Sequence, residues 1–131
     1  MLTRRSVLAL TGAAALGSTV VARAATTLPA FDVPGFGAAQ AAEKPILVAV
    51  HAVWCGTCKA QAAVLKDLLP RDPFNKLAVF RVDFDDQKEA VKSFGARFQS
   101  TLVVFKGKTE VGRAVGITDP AEIEALLRKA V

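Results

Sequence analysis

A chain of 131 residues is long enough for one domain with a substantial hydrophobic core and too short for two. The net charge of +5 owes much to three arginines among the first 24 residues, because the remaining 14 basic residues nearly balance 12 acidic ones. This even charge, without a basic stripe interleaved with aromatics, excludes a nucleic-acid-binding surface, and two cysteines are too few for a disulfide scaffold.

The first 24 residues have the three parts of an export signal. Arg4 and Arg5 stand before an apolar stretch over residues 7–21, and the small residues of Ala22-Arg23-Ala24 follow. Adjacent arginines in this context resemble the twin-arginine class, which carries folded proteins across the bacterial inner membrane. An ordinary export signal and an uncleaved anchor are the alternatives. We predict an export signal over 1–24, cleavage near Ala25 and a mature protein in the periplasm, where disulfides persist.

One domain is predicted over residues 36–131, preceded by a loose leader or linker over 25–35. A short helix is expected around 37–43, where helix-forming residues follow a proline and glycines. The run KPILVAVHA at 44–52 is apolar on both faces and rich in β-branched residues, which predicts a central strand covered on two sides. From 57 to 69 the apolar residues fall at helical spacing, and a proline ends the segment.

From residue 76 onward, the sequence pattern predicts a second strand, a helix, a hairpin and a last helix. The second strand is expected at 76–84, the helix at 85–94, the two hairpin strands at 101–105 and 110–116, and the last helix begins after Asp119. The fold class is therefore α/β, with a central mixed sheet of about four strands flanked by helices. The first two strands run parallel because a helix joins them, and the last two are antiparallel.

Both cysteines, Cys55 and Cys58, lie where the first strand gives way to the helix. The free N–H groups and dipole of a helix N-terminus stabilise an anion, and the thiolate is the species that attacks disulfides. We expect Cys55 to be exposed there and Cys58 to lie one turn inside, with Gly56 allowing the chain to bend. A permanent structural disulfide is disfavoured, because so short a loop constrains little entropy of the unfolded chain.

The sequence WCGTCK contains Trp54, Cys55, Gly56, Cys58 and Lys59, which match the active-site motif of thioredoxin residue for residue. With the element order, the VDFDD strand end and the STLVVFKGK hairpin, they make the whole predicted domain resemble the thioredoxin family. The resemblance implies a thioredoxin-like fold and protein-disulfide oxidoreductase activity without a cofactor. It assigns the attack on the substrate disulfide to Cys55 and the resolution of the mixed disulfide to Cys58.

Several positions depart from the family's pattern. Thr57 stands where the family has proline, Ala49 replaces a buried acid, and Arg81 stands at the position of the lysine that accompanies this acid. Ser100, followed by Thr101 at the start of a strand, replaces a cis-proline that faces the cysteines. A cis bond before a residue other than proline costs about 2.5–4 kcal/mol, so we expect Ser100 to be trans, with an altered substrate-binding backbone.

Two residues near the cysteines have several interpretations. Ser100 brings an N–H and a hydroxyl within reach of Cys55, from which we expect slower or more selective exchange and weak binding of a thiophilic metal. His51, four residues before Cys55, packs beneath the active-site loop in the interpretation we favour. Alternatively, it accepts the proton of Cys58 in place of the missing acid, or it ligates a metal.

The sequence thus predicts a thiol–disulfide oxidoreductase, and two alternatives remain. One is a protein whose thiolates bind a metal or, across a dimer, an iron–sulfur cluster; the other is a redox-inert binding module on the same fold. Because the dipeptide between the cysteines carries no charge that would stabilise a thiolate, we expect a reductant. The expected partners are protein disulfides and a membrane-borne thiol donor, with the protein acting as a monomer in electron transport and cell redox homeostasis.

Overall fold

A computed structural model describes residues 28–131, so the export signal predicted over 1–24 lies outside the described residues. The elements follow the predicted order, with one additional 3₁₀ helix before the second strand. They are α1 (Val33–Ala41), β1 (Pro45–His51), α2 (Gly56–Leu68), the 3₁₀ helix (Phe74–Lys76), β2 (Ala78–Asp83), α3 (Lys88–Ser93), β3 (Thr101–Lys106), β4 (Thr109–Val115) and α4 (Pro120–Arg128). No helix within 28–131 is long and apolar enough to cross a membrane.

The four strands form one mixed sheet in the order β2-β1-β3-β4. Strand β1 runs parallel to β2 and antiparallel to β3, and β3 and β4 form the antiparallel hairpin that the sequence predicts. The predicted fold class, a helix-flanked mixed α/β sheet with the cysteines at the start of the helix after the first central strand, is confirmed. The register places Ala49 directly opposite Arg81 of β2.

Strand β1 is apolar up to its last residue, His51, because it separates two hydrophobic cores. Leu47 and Ala49 face the core beneath α2 and α4, whereas Ile46, Val48 and Val50 face the core beneath α1 and α3. Since successive side chains of a strand point to opposite faces, a strand covered on both sides must be apolar at every position. The second core is rich in phenylalanines whose rings meet mostly edge to face.

Helix α1 begins four residues earlier than the sequence predicts. Asp32 stands in extended backbone before Val33, and its carboxylate accepts a hydrogen bond of 2.6 Å from the Gly35 N–H. Pro34 lies in the first turn, where its missing N–H costs nothing. The prediction missed this start because it took the proline and glycines as a break before the helix, whereas Asp32 makes them its first turn.

The leader predicted over 25–35 is wrong for residues 28–35, which belong to the folded domain. The Arg81 N–H donates to the Pro29 carbonyl at 2.7 Å, and the Phe31 N–H donates to the Arg81 carbonyl at 2.8 Å. Phe31 is buried among the other phenylalanines of the second core. These residues satisfy backbone groups along the outer edge of β2, which would otherwise be unpaired.

Helix α3 is shorter than predicted because the chain turns before it starts. The Asp83 carboxylate accepts hydrogen bonds from the N–H groups of Asp85 and Asp86, which holds these residues in a turn. Lys88 is the first helical residue. Gly95, at φ +62°, ends the helix as predicted, because glycine adopts this left-handed conformation without steric cost.

Candidate active site

The Cys55 side chain caps the N-terminus of α2. Strand β1 ends at His51, the Cys55 N–H donates to the Ala52 carbonyl at 3.1 Å, and α2 begins at Gly56. Cys55 Sγ accepts a hydrogen bond from the Cys58 N–H at 3.1 Å. A sulfur in this position receives a backbone N–H and the positive end of the helix dipole, both of which stabilise a thiolate.

Both cysteines are free thiols, and both are buried. Cys55 is only 5 % exposed and Cys58 is 2 % exposed, so the expectation that Cys55 stands exposed is wrong. Part of its cover is local, from Ala52, and part is non-local, because Phe84 packs against the same cluster. Phe84 follows β2 and comes 29 positions after Cys55 in the sequence, which is why the local pattern gave no sign of it.

Cys58 holds its proton more tightly than an ordinary thiol. Burial, followed by the hydrogen bond with Cys55, raises the pKa of Cys58 to about 11, although the backbone N–H groups of Ala52 and Ser100 oppose this shift. Its sulfur also lies 3.9 Å from the Val50 carbonyl oxygen. At neutral pH, Cys58 is therefore a protonated thiol one turn inside the helix, while Cys55 occupies the position that favours the anion.

Trp54 and its neighbours form the surface beside the cysteines. The Trp54 side chain is 59 % exposed, and its Nε1–H donates to the Asp85 carboxylate at 2.7 Å. Its ring meets the Phe84 ring nearly at right angles, with centroids 6.5 Å apart. Val53 and Phe98 are exposed large apolar side chains as well. Asp85 was missed as a site residue, although it stands in the VDFDD segment that already marked the strand end.

Gly56, Thr57 and Lys59 lie exposed on the first turn of α2. Gly56 is expected to allow the bend by leaving no side chain in the way, but a Cβ added there would meet no atom within 4 Å, so the bend does not depend on this absence. The Lys59 N–H donates to the Cys55 carbonyl at 3.2 Å, which begins the regular hydrogen bonding of the helix. Lys59 contributes a positive charge near the site, whereas Gly56 and Thr57 contribute none.

The loop before β3 is built around Ser100 in an unusual backbone conformation. Ser100 is 6 % exposed at φ +61°, and the only cis peptide bond within residues 28–131 precedes Pro73, so the expected trans bond is confirmed. The Ser100 N–H donates to the Val50 carbonyl at 2.8 Å. The expectation of an N–H within reach of Cys55 is therefore wrong, since this donor serves β1 and lies near Cys58 instead. Thr101 is buried, and its hydroxyl donates to the Phe98 carbonyl at 2.7 Å.

Comparison with known proteins identifies the family. The sequence model of the thioredoxin family, described as "Thioredoxin", matches residues 35–129, which is most of the chain. The chain belongs to the thioredoxin family. It is therefore a thiol–disulfide oxidoreductase that acts on protein disulfides, with Cys55 and Cys58 as its CxxC motif.

Individual relatives agree with the family assignment. The chain is 33 % identical over 85 residues to a thioredoxin of Alicyclobacillus acidocaldarius, covering 65 % of this chain and 80 % of that one. It is 32 % identical over 92 residues to thioredoxin Asp f 29 of Aspergillus fumigatus, covering 70 % of this chain and 83 % of that protein. The crystal structure of Trxlp from Edwardsiella tarda is similar with a TM-score of 0.74 and 37 % identity, covering 76 % and 96 % of the two chains.

One buried polar residue that the sequence analysis missed connects the active-site loops of this thioredoxin-family domain. Gln61, 2 % exposed, donates from Nε2 to the Ser100 carbonyl at 3.0 Å and to the Ile117 carbonyl at 2.9 Å. The Gly116 N–H donates to the same Ser100 carbonyl at 3.0 Å. A glutamine in line with the buried Leu65 and Leu68 of α2 was the available signal.

His51 and Cys58 line one small cavity at the place where the thioredoxin family has its buried acid. The cavity, ≈ 10 Å³, is about large enough for one water molecule and is also lined by Leu28, Ala49 and Gln61. Burial, followed by the positive charge of Arg81, lowers the pKa of His51, while Asp83 opposes this. His51 is thus neutral at pH 7 and able to accept a proton, but its role as a base stays a prediction.

The alternative of a metal centre gains no third ligand from the structure. Among residues 28–131, no three His, Cys, Asp or Glu side chains come together as a metal-binding group, so His51 does not complete a set with the two cysteines. Two thiolates are half of the four ligands that structural zinc sites and iron–sulfur clusters use.

Arg97 is exposed and Gln99 half-buried in the segment that leads to Ser100.

Proposed function

We propose that this thioredoxin-family protein is an exported reductant of protein disulfides, acting as a monomer in the periplasm. The observation that carries the exchange chemistry is the asymmetry of the two thiols. Cys55 Sγ accepts a backbone N–H at the start of α2, whereas the pKa of the buried Cys58 is about 11. The Cys55 sulfur is therefore placed to attack the client disulfide, and Cys58 keeps its proton until it resolves the mixed disulfide.

The exchange consists of two substitutions at sulfur. The Cys55 thiolate attacks one sulfur of the client disulfide, forming a mixed disulfide and releasing the client's other sulfur as a thiolate, which takes up a proton. Cys58 then loses its proton and attacks the Cys55 sulfur. This forms the Cys55–Cys58 disulfide and releases the second client thiol. Two electrons pass from the protein to the client, and the two client sulfurs become thiols.

Burial of Cys58 suits this order of events. A protonated Cys58 does not compete with Cys55 for the client disulfide. Once the mixed disulfide exists, the negative charge near Cys55 is gone, and one of the influences that raise the pKa of Cys58 is removed. His51 lines the same small cavity as Cys58, which supports a role in removing the proton at this stage; because burial lowers the pKa of His51, it would pass the proton on rather than hold it.

The reducing direction follows from what stabilises the dithiol form. Strongly oxidising relatives owe their potential to a stabilised reduced form, which requires positive charge or additional donors at the attacking thiolate. Gly56 and Thr57 between the cysteines supply no charge. A reductant outside the cytoplasm must be reduced again after each turnover, and we propose a membrane-borne thiol protein as the donor.

The reduction potential of the purified protein, measured against glutathione buffers, tests this direction. We expect a value nearer to about −270 mV, typical of thioredoxin, than to about −120 mV, typical of a strong oxidant. A potential near the oxidising end would overturn the proposed direction while leaving the exchange chemistry intact. A matched Gly56→Pro/Thr57→His variant, which places a cationic side chain between the cysteines, should have a less negative potential.

A further inference from the structure

A groove lies next to the active site, between the end of β2, helix α3 and the segment that leads to Ser100. Its volume is ≈ 380 Å³, which is in the range of sites that bind ligands of a few residues. The lining consists of an apolar floor and a basic rim. The floor is formed by Phe84, Val91 and Ala96, and the rim by Lys88, Lys92 and Arg97.

Phe84 is shared between this basic groove and the redox centre. One part of its side chain lines the groove, and the same ring faces Trp54 and packs against the cluster that contains both cysteines. Arg97 stands three residues before Ser100, so the rim also continues into the loop that borders the cysteines. A chain whose disulfide reaches Cys55 can therefore continue directly into the groove.

The charge of the groove is unbalanced. Its lining holds three cations and no carboxylate, and none of the three forms a salt bridge in the part of the chain that the structure describes. The acidic residues nearest in sequence do not offset this charge, because none of them lines the groove. Asp85 accepts the Trp54 indole N–H, and Asp86 and Glu89 are exposed residues beyond the groove.

We propose that this groove binds an acidic segment of the client protein next to the disulfide that is reduced. One apolar side chain of the client packs over the floor, and carboxylates on either side face the basic rim. An apolar floor favours a polypeptide over a small inorganic anion. A polypeptide can place an apolar side chain against Phe84 and Val91, whereas an inorganic anion has no apolar group to bury there. The assignment rests on the proposed function, since it concerns the client of the same exchange reaction.

Exchange kinetics with synthetic disulfide-linked peptides test the groove. The acidic peptide carries glutamates and one leucine beside the cystine, and the matched peptide has glutamines in place of the glutamates. The groove variant is Lys88→Gln/Lys92→Gln/Arg97→Gln. The control variant, Lys66→Gln/Lys106→Gln/Lys108→Gln, removes the same charge from exposed side chains outside the groove. Bis(2-hydroxyethyl) disulfide, which is uncharged, reports the intrinsic reactivity of the cysteines.

We expect wild type to prefer the acidic peptide about tenfold in kcat/KM at low ionic strength and less at high ionic strength. The groove variant should lose this preference, whereas the control variant and a charge-conserving Lys88→Arg/Lys92→Arg/Arg97→Lys variant keep it. All variants should reduce the uncharged disulfide equally. These results together support an acidic client segment.

Other results overturn the inference in distinguishable ways. Equal rates on both peptides in wild type, or a preference that survives in the groove variant, refute the groove and leave the exchange function standing. If the groove variant loses more of the wild-type rate on glutathione disulfide than on the acidic peptide, the groove binds a small anionic disulfide instead. Failure of wild type to reduce even the uncharged disulfide refutes the proposed function itself.

Discussion

The side-chain amide of Gln61 donates a hydrogen bond of 3.0 Å to the carbonyl oxygen of Ser100, across 39 positions of sequence. The same amide reaches the Ile117 carbonyl at 2.9 Å. Helix α2, which carries the cysteines, is thereby joined to the loop before β3 and to the loop after β4. Other members of the family shape the first of these loops with a proline. In this chain, Ser100 holds the loop through backbone hydrogen bonds, and Gln61 is one of the donors.

Replacing Gln61 with leucine should loosen both loops. The Ile117 carbonyl loses its Gln61 donor and the Ser100 carbonyl keeps only the bond from Gly116, so we expect the free energy of unfolding to fall by about 1–3 kcal/mol. Urea unfolding of the reduced protein measures this loss. Hydrogen exchange at the Gly116 amide should become faster as well. Ala60→Leu, on the exposed face of the same helix, is the matched control and should change neither quantity.

The roles of the two cysteines can be separated by trapping. We expect Cys58→Ser to accumulate mixed disulfides with client proteins, and Cys55→Ser to accumulate none and to lose disulfide reduction. Alkylation of the reduced wild type near neutral pH should label Cys55 first, because Cys58 keeps its proton at a pKa of about 11. Mass spectrometry of the labelled peptides checks the order. Preferential labelling of Cys58 would reverse the assignment.

Local signals in the sequence predicted the framework of the site. The two-sided apolar run at 44–52 placed β1, the change to helical spacing placed the cysteines at the start of α2, and the capped segment after Asp119 placed the last helix. Each of these features depends on residues that are neighbours in the chain, and the structure confirms the position of each element. The order of elements then restricted the topology to one parallel pair and one hairpin.

What the sequence did not predict depends on contacts between distant segments. Cys55 lies in a buried cluster against which Phe84 packs from the end of another strand. Phe31 enters the core because the outer edge of β2 offers free backbone groups to residues 28–31. The N–H of Ser100 is used by Val50, across the sheet. None of these partners is marked by spacing or composition, since each contact forms only after the sheet has assembled.

The stability of the reduced protein should depend on pH through Cys58. The pKa of its thiol rises from an ordinary value of 9.0 to about 11 on folding, so the unfolded chain loses this proton first as the pH increases. The stabilisation that the protonated Cys58 thiol contributes is complete below about pH 9. As the pH approaches 11, the free energy of unfolding falls by about 2–3 kcal/mol in total. Urea unfolding of reduced wild type and Cys58→Ser across this range isolates the effect. Identical pH profiles of the two proteins would contradict it.

Export should depend on the two adjacent arginines near the N-terminus. We expect the protein from the cell envelope to begin near Ala25, because the small residues Ala22 and Ala24 form the cleavage pattern. Intact-mass measurement checks this. Arg4→Lys/Arg5→Lys should retain full-length protein in the cytoplasm, whereas Arg23→Lys, with the same charge-conserving change outside the pair, should leave the export route unchanged. Normal export of the double variant would rule out the twin-arginine route.

The backbone at Ser100 makes this position intolerant of the residue that the family has there. Proline fixes φ near about −65° and has no N–H, whereas Ser100 stands at φ +61° and donates to the Val50 carbonyl. Restoring the family residue alone therefore requires the whole loop to adopt another conformation. Glycine, in contrast, adopts a positive φ without steric cost and keeps the N–H.

We accordingly expect Ser100→Pro to lower the free energy of unfolding by about 3 kcal/mol or more, and Ser100→Gly to remain within about 1 kcal/mol of wild type. Ser100→Ala, which removes only the hydroxyl, separates the side chain from the backbone effect. Urea unfolding of the three reduced variants gives the comparison. If the proline variant is as stable as the glycine variant, the loop does not depend on the positive φ and the bond to Val50. In that case the bonds that Gln61 and Gly116 donate to the carbonyl of residue 100 would hold it, and Ser100→Pro/Gln61→Leu should then unfold far more readily than either single variant.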